Sequence, residues 1–470
     1  MQKQIRPHIG MALVMAMAAT ALMPVAATAQ ARTAGVDMTG DRHGPPDPRS
    51  NAVIDWNGTA TQAAVTSGMS PDLNPLAESR LYAMTTIAMH DALNGIDRRY
   101  RPYVHRDLHA RPWASPEAAV AAAARNVLVP GLEQLAPSLP DQQAVTNAIA
   151  GVEAAYGSAL QAIPAGPAKD TGIETGRAAA AAIIEQRSSD KSDKVLLVDP
   201  DYPQGDQPGQ WRFTPDRPFA FAPAWGTVTP FTLEDSHQFA PPGPYPVTSA
   251  QYARDFREVK RLGGDAQTGS QRTPDQTQIA LFWVGSSPYL WNSIARTLST
   301  TQRLDMWQSA RLFGLLNTAM ADGYIGSFAT KFAVNYWRPV TAIREAATDG
   351  NPGTIADPTW NPLATTPPIP DYDSGHAVEG GVAAAVFRQF FGKDAVGFSA
   401  CSITLPDPDQ RCGGSSQVLR QFSRFSQAAA ENGESRILVG YHFRKAVNDG
   451  IVHGTKIGSR AVSLFLRPAH

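Results

Sequence analysis

Apolar positions along this 470-residue chain recur mostly at helical spacing, and strand-like alternation is scarce. Leu81, Met84, Ile87, Ala88 and Ala92 share one face of a helix predicted over 76–96. Ser115-Pro116-Glu117 supplies a capping Ser and a first-turn Pro to a helix expected to end near Pro130. Two more Ala-rich helices are expected over 140–160 and 170–187. Residues 188–250 break the pattern. Asp199-Pro200-Asp201, Pro208-Gly209-Gln210-Trp211 and Pro241-Pro242-Gly243-Pro244 mark a long loop excursion, of the kind that covers the mouth of a site. Helices resume over 249–262. Thr273-Pro274-Asp275-Gln276 then carries a capping-box pattern, and a long amphipathic helix spans 301–321. Two later helices are expected over 377–391 and 443–457. There is no strand–helix alternation, no Gly-rich phosphate loop and no repeat of fixed period. The expected fold class is all-α: two packed helical bundles in one compact domain, with long irregular loops.

The N-terminal stretch follows a different rule. Lys3 and Arg6 precede an apolar run from Ile9 to Val25, and Ala27-Thr28-Ala29 fits a small-x-small cleavage site. A signal peptide is expected over 1–29, which makes the protein exported, periplasmic or secreted. Residues 30–74, rich in Gly, Pro and Asp, are expected to form an irregular arm. The helical domain then fills 75–470. No later run of 18 apolar residues occurs, so no transmembrane segment is expected in the mature chain.

Composition narrows the classes further. With 43% hydrophobic and 18% charged residues, the chain is ordinary globular material with enough length for a large core. The net charge of −1 gives no basic field for nucleic acid or an anionic membrane. Any anion site must therefore be a local cluster. Cys401 and Cys412 are the only cysteines, and in an exported chain they read as one disulfide closing a local loop.

Candidate chemistry centres on Asp371-Tyr372-Asp373-Ser374-Gly375-His376. Pro367-Pro368-Ile369-Pro370 before it cannot be helical. Val378, Val382, Ala385 and Val386 after it mark a buried helix. Ser374 and the Gly375 amide therefore sit at a helix N-terminus, where unpaired N–H groups and the dipole favour an anion. His376 adds a side chain that changes charge near neutral pH. The plainer alternative is that Ser374 only caps the helix and His376 is a surface residue.

Upstream, Lys331 and Arg338 are seven residues apart, so one helix would place them on one face, ~10 Å apart along its axis. Phe332, Tyr336 and Trp337 bury this segment, and a buried cation needs a partner. Downstream, Arg436 and His442 would lie on different faces of an ideal helix, but Gly440 permits a break that brings them together. His90, Asp449 and His453 read as structural residues.

In this order, Lys331-x6-Arg338-Pro339, Ser374-Gly375-His376 and Ser435-Arg436-x5-His442 resemble the three-part signature of the vanadium haloperoxidase and type 2 phosphatidic acid phosphatase superfamily. The chain looks like its soluble bacterial haloperoxidase branch. The resemblance places the vanadate- or phosphate-binding part at 301–465. It implies that Lys331, Arg338, Ser374, Gly375 and Arg436 hold the oxygens of vanadate or phosphate. It also implies that His442 binds vanadium and that His376 is the acid–base group. The implied reaction is halide oxidation by hydrogen peroxide. A soluble acid phosphatase acting on a phosphate ester through a phosphohistidine at His442 shares the same pocket. A third class is a non-catalytic binder of phosphate-like anions. One departure stands out: relatives usually have Pro before Ser-Gly-His, and this chain has Asp373. Both Asp371 and Asp373 are expected to point away from the anion, or one to cap the helix, and Asp373 is a candidate for raising the pKa of His376.

Overall fold

The computed structural model describes residues 51–70, 74–104 and 108–469. Helices α1 (Ala52–Thr66), α2 (Pro75–Ile96), α3 (Pro116–Leu135), α4 (Gln142–Gln161) and α5 (Pro167–Arg187) build a first bundle. In it α3 packs on α2, α4 and α5, and α1 packs on α4. Helices α6 (Ala250–Gly263), α7 (Pro274–Phe282) and α8 (Ser287–Thr301) lead into α9 (Met306–Val334). After it come α10 (Pro339–Glu345), α11 (Gly375–Phe391), α12 (Phe425–Leu438) and α13 (Arg444–Leu464). Helices α9, α11, α12 and α13 form the second bundle, and α9 also packs on α2, which joins the two. Strands are confined to two short antiparallel pairs among the described residues. These are β1 (Val198–Asp199) with β2 (Ala220–Phe221), and β3 (Phe398–Ala400) with β4 (Arg420–Phe422). The all-α expectation holds.

Helix α9 is the central rod. A capping box between Asp305 and Gln308 starts it. From Leu312 to Lys331 every residue is buried, the pattern of a helix enclosed on all sides rather than amphipathic. The helix expected over 301–321 is part of this longer one, which also takes in the segment that carries Lys331. It stops where Asn335 turns left-handed, at φ 52° and ψ 45°.

Helices α11 and α13 approach unusually closely because glycines face each other's backbone. A Cβ on Gly454 would sit 1.9 Å from the Val378 carbonyl oxygen, and one on Gly381 would sit 2.3 Å from that of Ile451. This contact anchors the start of α11, where Ser374 and Gly375 lie.

Two other expectations change. The irregular arm is overturned over 52–66, which form α1. Asn51 caps it, and Val53, Trp56, Ala60, Ala63 and Ala64 are its buried face. Its interleaved Asn, Gly and Thr residues masked that spacing in the sequence. Helix α3 runs through Pro130. A mid-helix proline costs about 3 kcal/mol, and burial of Val127, Leu128, Val129 and Leu132 offsets it. The loop over 188–249 braces the end of α9. Trp211 donates its amide to Asn335, and the Trp337 amide donates to Gly209. Three consecutive amides, Phe231, Thr232 and Leu233, donate to the Asp322 carboxyl of α9.

The Cys401–Cys412 disulfide is present. No described helix is long and apolar enough to cross a membrane. The expected signal peptide, 1–29, lies outside the described residues.

Candidate functional site

Three buried cations converge from three different elements. Lys331 sits on the last turn of α9, Arg338 just before α10 and Arg436 on the last turn of α12. None is more than 1% exposed. The Lys331 ammonium donates to the carbonyls of Pro370 and Asp371, each at 3.0 Å, and to that of Asp373. Arg338 donates Nε to Ile369 at 2.7 Å and Nη1 to Tyr441 at 2.9 Å. Arg436 donates Nη1 to Trp283 at 2.8 Å and stacks over the Tyr441 ring. These partners are neutral carbonyls, not carboxylates.

The single-helix route to Lys331 and Arg338 is not the one the fold takes. Arg338 lies beyond the end of α9, in extended backbone at φ −82° and ψ 155°, the conformation a following proline favours. The left-handed Asn335 and the bridge between Gln210 and Tyr336 bring it back towards Lys331. At the other end, Gly440 does make the break expected of it, with φ 86°. The amides of Tyr441 and His442 both return to the Arg436 carbonyl, at 3.0 and 3.2 Å. That loop places His442 against Arg338, with Nη1 of the arginine 2.9 Å from Nε2 of the imidazole.

Ser374 precedes α11 as expected, but its hydroxyl makes no capping bond and has no hydrogen-bond partner, although the residue is buried. Arg338 Nη2 and Arg436 Nε are likewise buried and unpartnered. Gly375 opens the helix, so its amide has no intrahelical partner. Protein packing does not demand glycine there, since a Cβ would meet only Ser327 Oγ, at 3.8 Å. Buried donors without acceptors are costly, and buried cations more so. An oxyanion satisfies all of them at once. The residues present therefore fit vanadate or phosphate.

The two acidic residues before Ser374 are the main correction. Both are buried, and neither points out or caps the helix. Asp371 Oδ1 accepts from His442 Nδ1 at 2.9 Å. Asp373 Oδ2 pairs with His453 Nδ1 at 2.8 Å, and its Oδ1 accepts from Ser327 at 2.8 Å. Asp373 is thus committed to α9 and α13 and does not act on His376. Relatives' proline at this position gave no clue to that pairing. His453 is structural, as expected, and so is Asp449, which holds Tyr372 and Lys445. His90 pairs with Asp91 away from this site.

His376 is partly exposed, and Nε2 lies 2.9 Å from the Gly285 carbonyl oxygen. A carbonyl only accepts, so Nε2 carries the proton and Nδ1 is left to exchange one. Burial and then the charge of Arg436 push its pKa well below the usual histidine range, with Lys331 and Arg338 adding to this. His442 is also held well below that range, by burial, Arg338, Lys331 and Arg436. Burial, with Arg338 beside it, pushes Lys331 down to about 7. Burial pushes Asp371 up to about 7, against the lowering influence of Arg338 and Lys331. Arg338 and Arg436 fall to about 10 through burial and stay charged at neutral pH.

Sequence reasoning missed four residues. Asp371 stands in the motif, but seventy-one residues separate it from His442, so no local pattern pairs the two. Trp283 and Gly285 act through backbone carbonyls, which leave no mark in side-chain patterns. Glu379 had a visible signal: it is the one carboxylate inside the apolar run of α11.

Residues 311–469 match the family described as the VCPO second helical-bundle domain. The chain is 28% identical over 309 residues to the vanadium chloroperoxidase of Curvularia inaequalis. That match covers 53% of this chain and 49% of the relative, so the chain spans about half the length of the curated relative it matches. Among solved structures, a bacterial vanadium-dependent iodoperoxidase superposes with a TM-score of 0.70 at 21% identity, over 91% of this chain and 100% of that one. A holo-type bacterial vanadium-dependent chloroperoxidase gives 0.64 at 14% identity, over 83% and 92%. Residues 311–469 thus match that helical-bundle domain, and the chain as a whole has the fold of the bacterial vanadium-dependent haloperoxidase structures.

Proposed function

We propose that this chain is an exported vanadium-dependent haloperoxidase that oxidises halide with hydrogen peroxide. The observation that carries the reading is the set of buried cations and unpartnered donors around His442, which together ask for an oxyanion. Lys331, Arg338, Arg436, the Ser374 hydroxyl and the Gly375 amide would hold the oxygens of vanadate. His442 would supply the nitrogen ligand. Vanadate, when bound, supplies the centre at which peroxide is activated towards halide.

The protein's own groups do the rest. Asp371 accepts the Nδ1 proton of His442, so Nε2 carries the lone pair. Arg338 donates to that same Nε2, which supports it as the acceptor nitrogen, because a guanidinium cannot accept. The cations, fixed by carbonyls before any ligand arrives, stabilise negative charge without reorganising. His376 exchanges a proton at Nδ1 with the bound reactants. A soluble phosphatase with His442 as nucleophile draws on the same pocket. Export rests on the sequence of residues 1–29.

The test is a paired assay. Vanadate-loaded protein should oxidise halide in the presence of hydrogen peroxide. Vanadate-free protein should hydrolyse phosphate esters poorly or not at all. Ester hydrolysis without halide oxidation would reverse the order of the two readings.

A further inference from the structure

Glu379 lies on α11, three residues after His376 and therefore on a neighbouring part of the same helix face. It is fully buried, and neither carboxyl oxygen has a partner. Nothing cationic is among the influences on it, and burial alone pushes its pKa well above the usual carboxylate range. The fold makes room for it. A Cβ on Gly323 of α9 would come within 2.5 Å of Glu379 Oε1.

A second buried carboxyl lies nearby, on α2. Glu78 is fully buried and takes a hydrogen bond from Ser286 at 2.5 Å. Burial raises its pKa to about 7, against the opposing effect of Ser286 and Tyr82. Tyr324 of α9 lies close enough to feel both Glu379 and Glu78, neighbours Ser287, and also feels Arg436 of the oxyanion site. The Tyr324 hydroxyl, Ser287 Oγ, Tyr82 hydroxyl and Glu78 Oε1 are all buried, and although Tyr324 neighbours Ser287 and Tyr82 neighbours Glu78, none of them makes a well-aligned hydrogen bond within the protein. Gly285, the residue before Ser286, is the one whose carbonyl holds His376. The segment that carries Ser286 and Ser287 therefore also touches the acid–base histidine. The far end of the cluster reaches Tyr289 and Arg296 of α8, which are partly exposed. Towards α11, α13 presents Gly450, Gly454 and Gly458, and its buried histidine, His453, is taken by Asp373.

We propose that Glu379, Tyr324, Ser287 and Glu78 form a proton relay that supplies His376 from the α8 surface. Unpartnered hydroxyl and carboxyl oxygens in a buried polar cluster are the atoms that water molecules link into a chain. The proposal rests on the haloperoxidase reading for its purpose. Halide, peroxide and one proton give hypohalous acid and water, so each turnover consumes a proton. Glu379 releases its carboxyl proton towards His376 Nδ1 and regains one through Tyr324 and Ser287 from Glu78. Glu78 is refilled from the surface end. Glu379 is a positioning and relay residue, not a ligand to the anion.

The experiment is difference infrared spectroscopy on the full chain and on Glu379→Gln, with and without vanadate. A band from a protonated carboxylic acid should be present at neutral pH, shift when vanadate binds and vanish in the variant. Vanadate affinity by vanadium-51 NMR should be the same in both. With halide and peroxide, kcat of the variant should fall roughly ten- to a hundredfold, with KM for peroxide little changed, and small weak acids should restore it. Tyr324→Phe, which removes only a hydroxyl, should lower kcat in the same direction and guards against a folding defect in the glutamine variant. The relay is overturned if the variant loses no carboxylic-acid band, if the band ignores vanadate, or if kcat is unchanged. A parent chain that binds vanadate but oxidises no halide defeats the haloperoxidase reading. In that case the infrared response to vanadate still decides the relay.

Discussion

Asp371 Oδ1 accepts a hydrogen bond from His442 Nδ1 at 2.9 Å, and this contact decides which imidazole nitrogen is free to bind. An asparagine at 371 presents either an oxygen or an amide and no longer enforces that tautomer. Outer partners of a ligating histidine are worth about 10- to 100-fold in affinity. Asp371→Asn is expected to weaken vanadate binding by about that factor, with helix content unchanged by circular dichroism. Equal affinity in the variant and the parent would reduce Asp371 to a packing residue.

Ser374 gives the cleanest separation of binding from stability. Its hydroxyl is buried and unpartnered, so removing it takes away no intramolecular bond. Ser374→Ala should leave Tm unchanged or slightly higher. Vanadate affinity should drop by about 1.5–3 kcal/mol, the range for a hydrogen bond to a charged group. Calorimetry and a thermal melt on the same preparations check both halves.

Oxyanion affinity should fall as pH rises through about 7. Burial, with Arg338 beside it, brings Lys331 down to about 7. Burial raises Asp371 to about 7. Above that pH either Lys331 loses its positive charge or Asp371 gains a negative one. Whichever group gives up the proton, the pocket loses one unit of positive charge. Sulfate keeps a single charge state across this range and is the suitable probe. Its affinity, measured by calorimetry from mildly acid to mildly alkaline pH, should decline on the alkaline side. A flat profile would contradict the assignment.

His376 should become more basic when an oxyanion binds. Burial comes first among the causes that lower its pKa, and burial is not relieved by binding. The charges of Arg436, Lys331 and Arg338 come after it, and a bound anion offsets those. The expected outcome is an upward pKa shift of His376 and net proton uptake on binding. Imidazole NMR titrations with and without vanadate measure it. Asp373→Asn should leave the shift in place, because Asp373 is engaged with His453 and Ser327 instead.

Much of this was legible in the sequence, for identifiable reasons. Helical spacing and capping residues marked most helices, since both are local properties of the chain. The motif positions also came together in space, although not always by the expected route. Lys331 and Arg338 meet through a left-handed Asn335 and an extended Arg338, not along one helix. What was hidden is non-local. The partner of His442 lies at Asp371, and that of Asp373 at His453, on elements with no sequence relation to each other. The first helix was hidden for another reason: polar residues interrupt the apolar face that Val53 and Trp56 begin.

The central claim is that His442, backed by Asp371, sits in a pocket built for vanadate. Vanadium-51 NMR of the full chain and of His442→Ala, followed by halide oxidation with hydrogen peroxide, tests it most directly. The parent chain should bind vanadate tightly and oxidise halide, and the variant should lose halide oxidation and hold vanadate weakly at most. Halide oxidation retained by His442→Ala, or a parent chain that binds no vanadate, would contradict it.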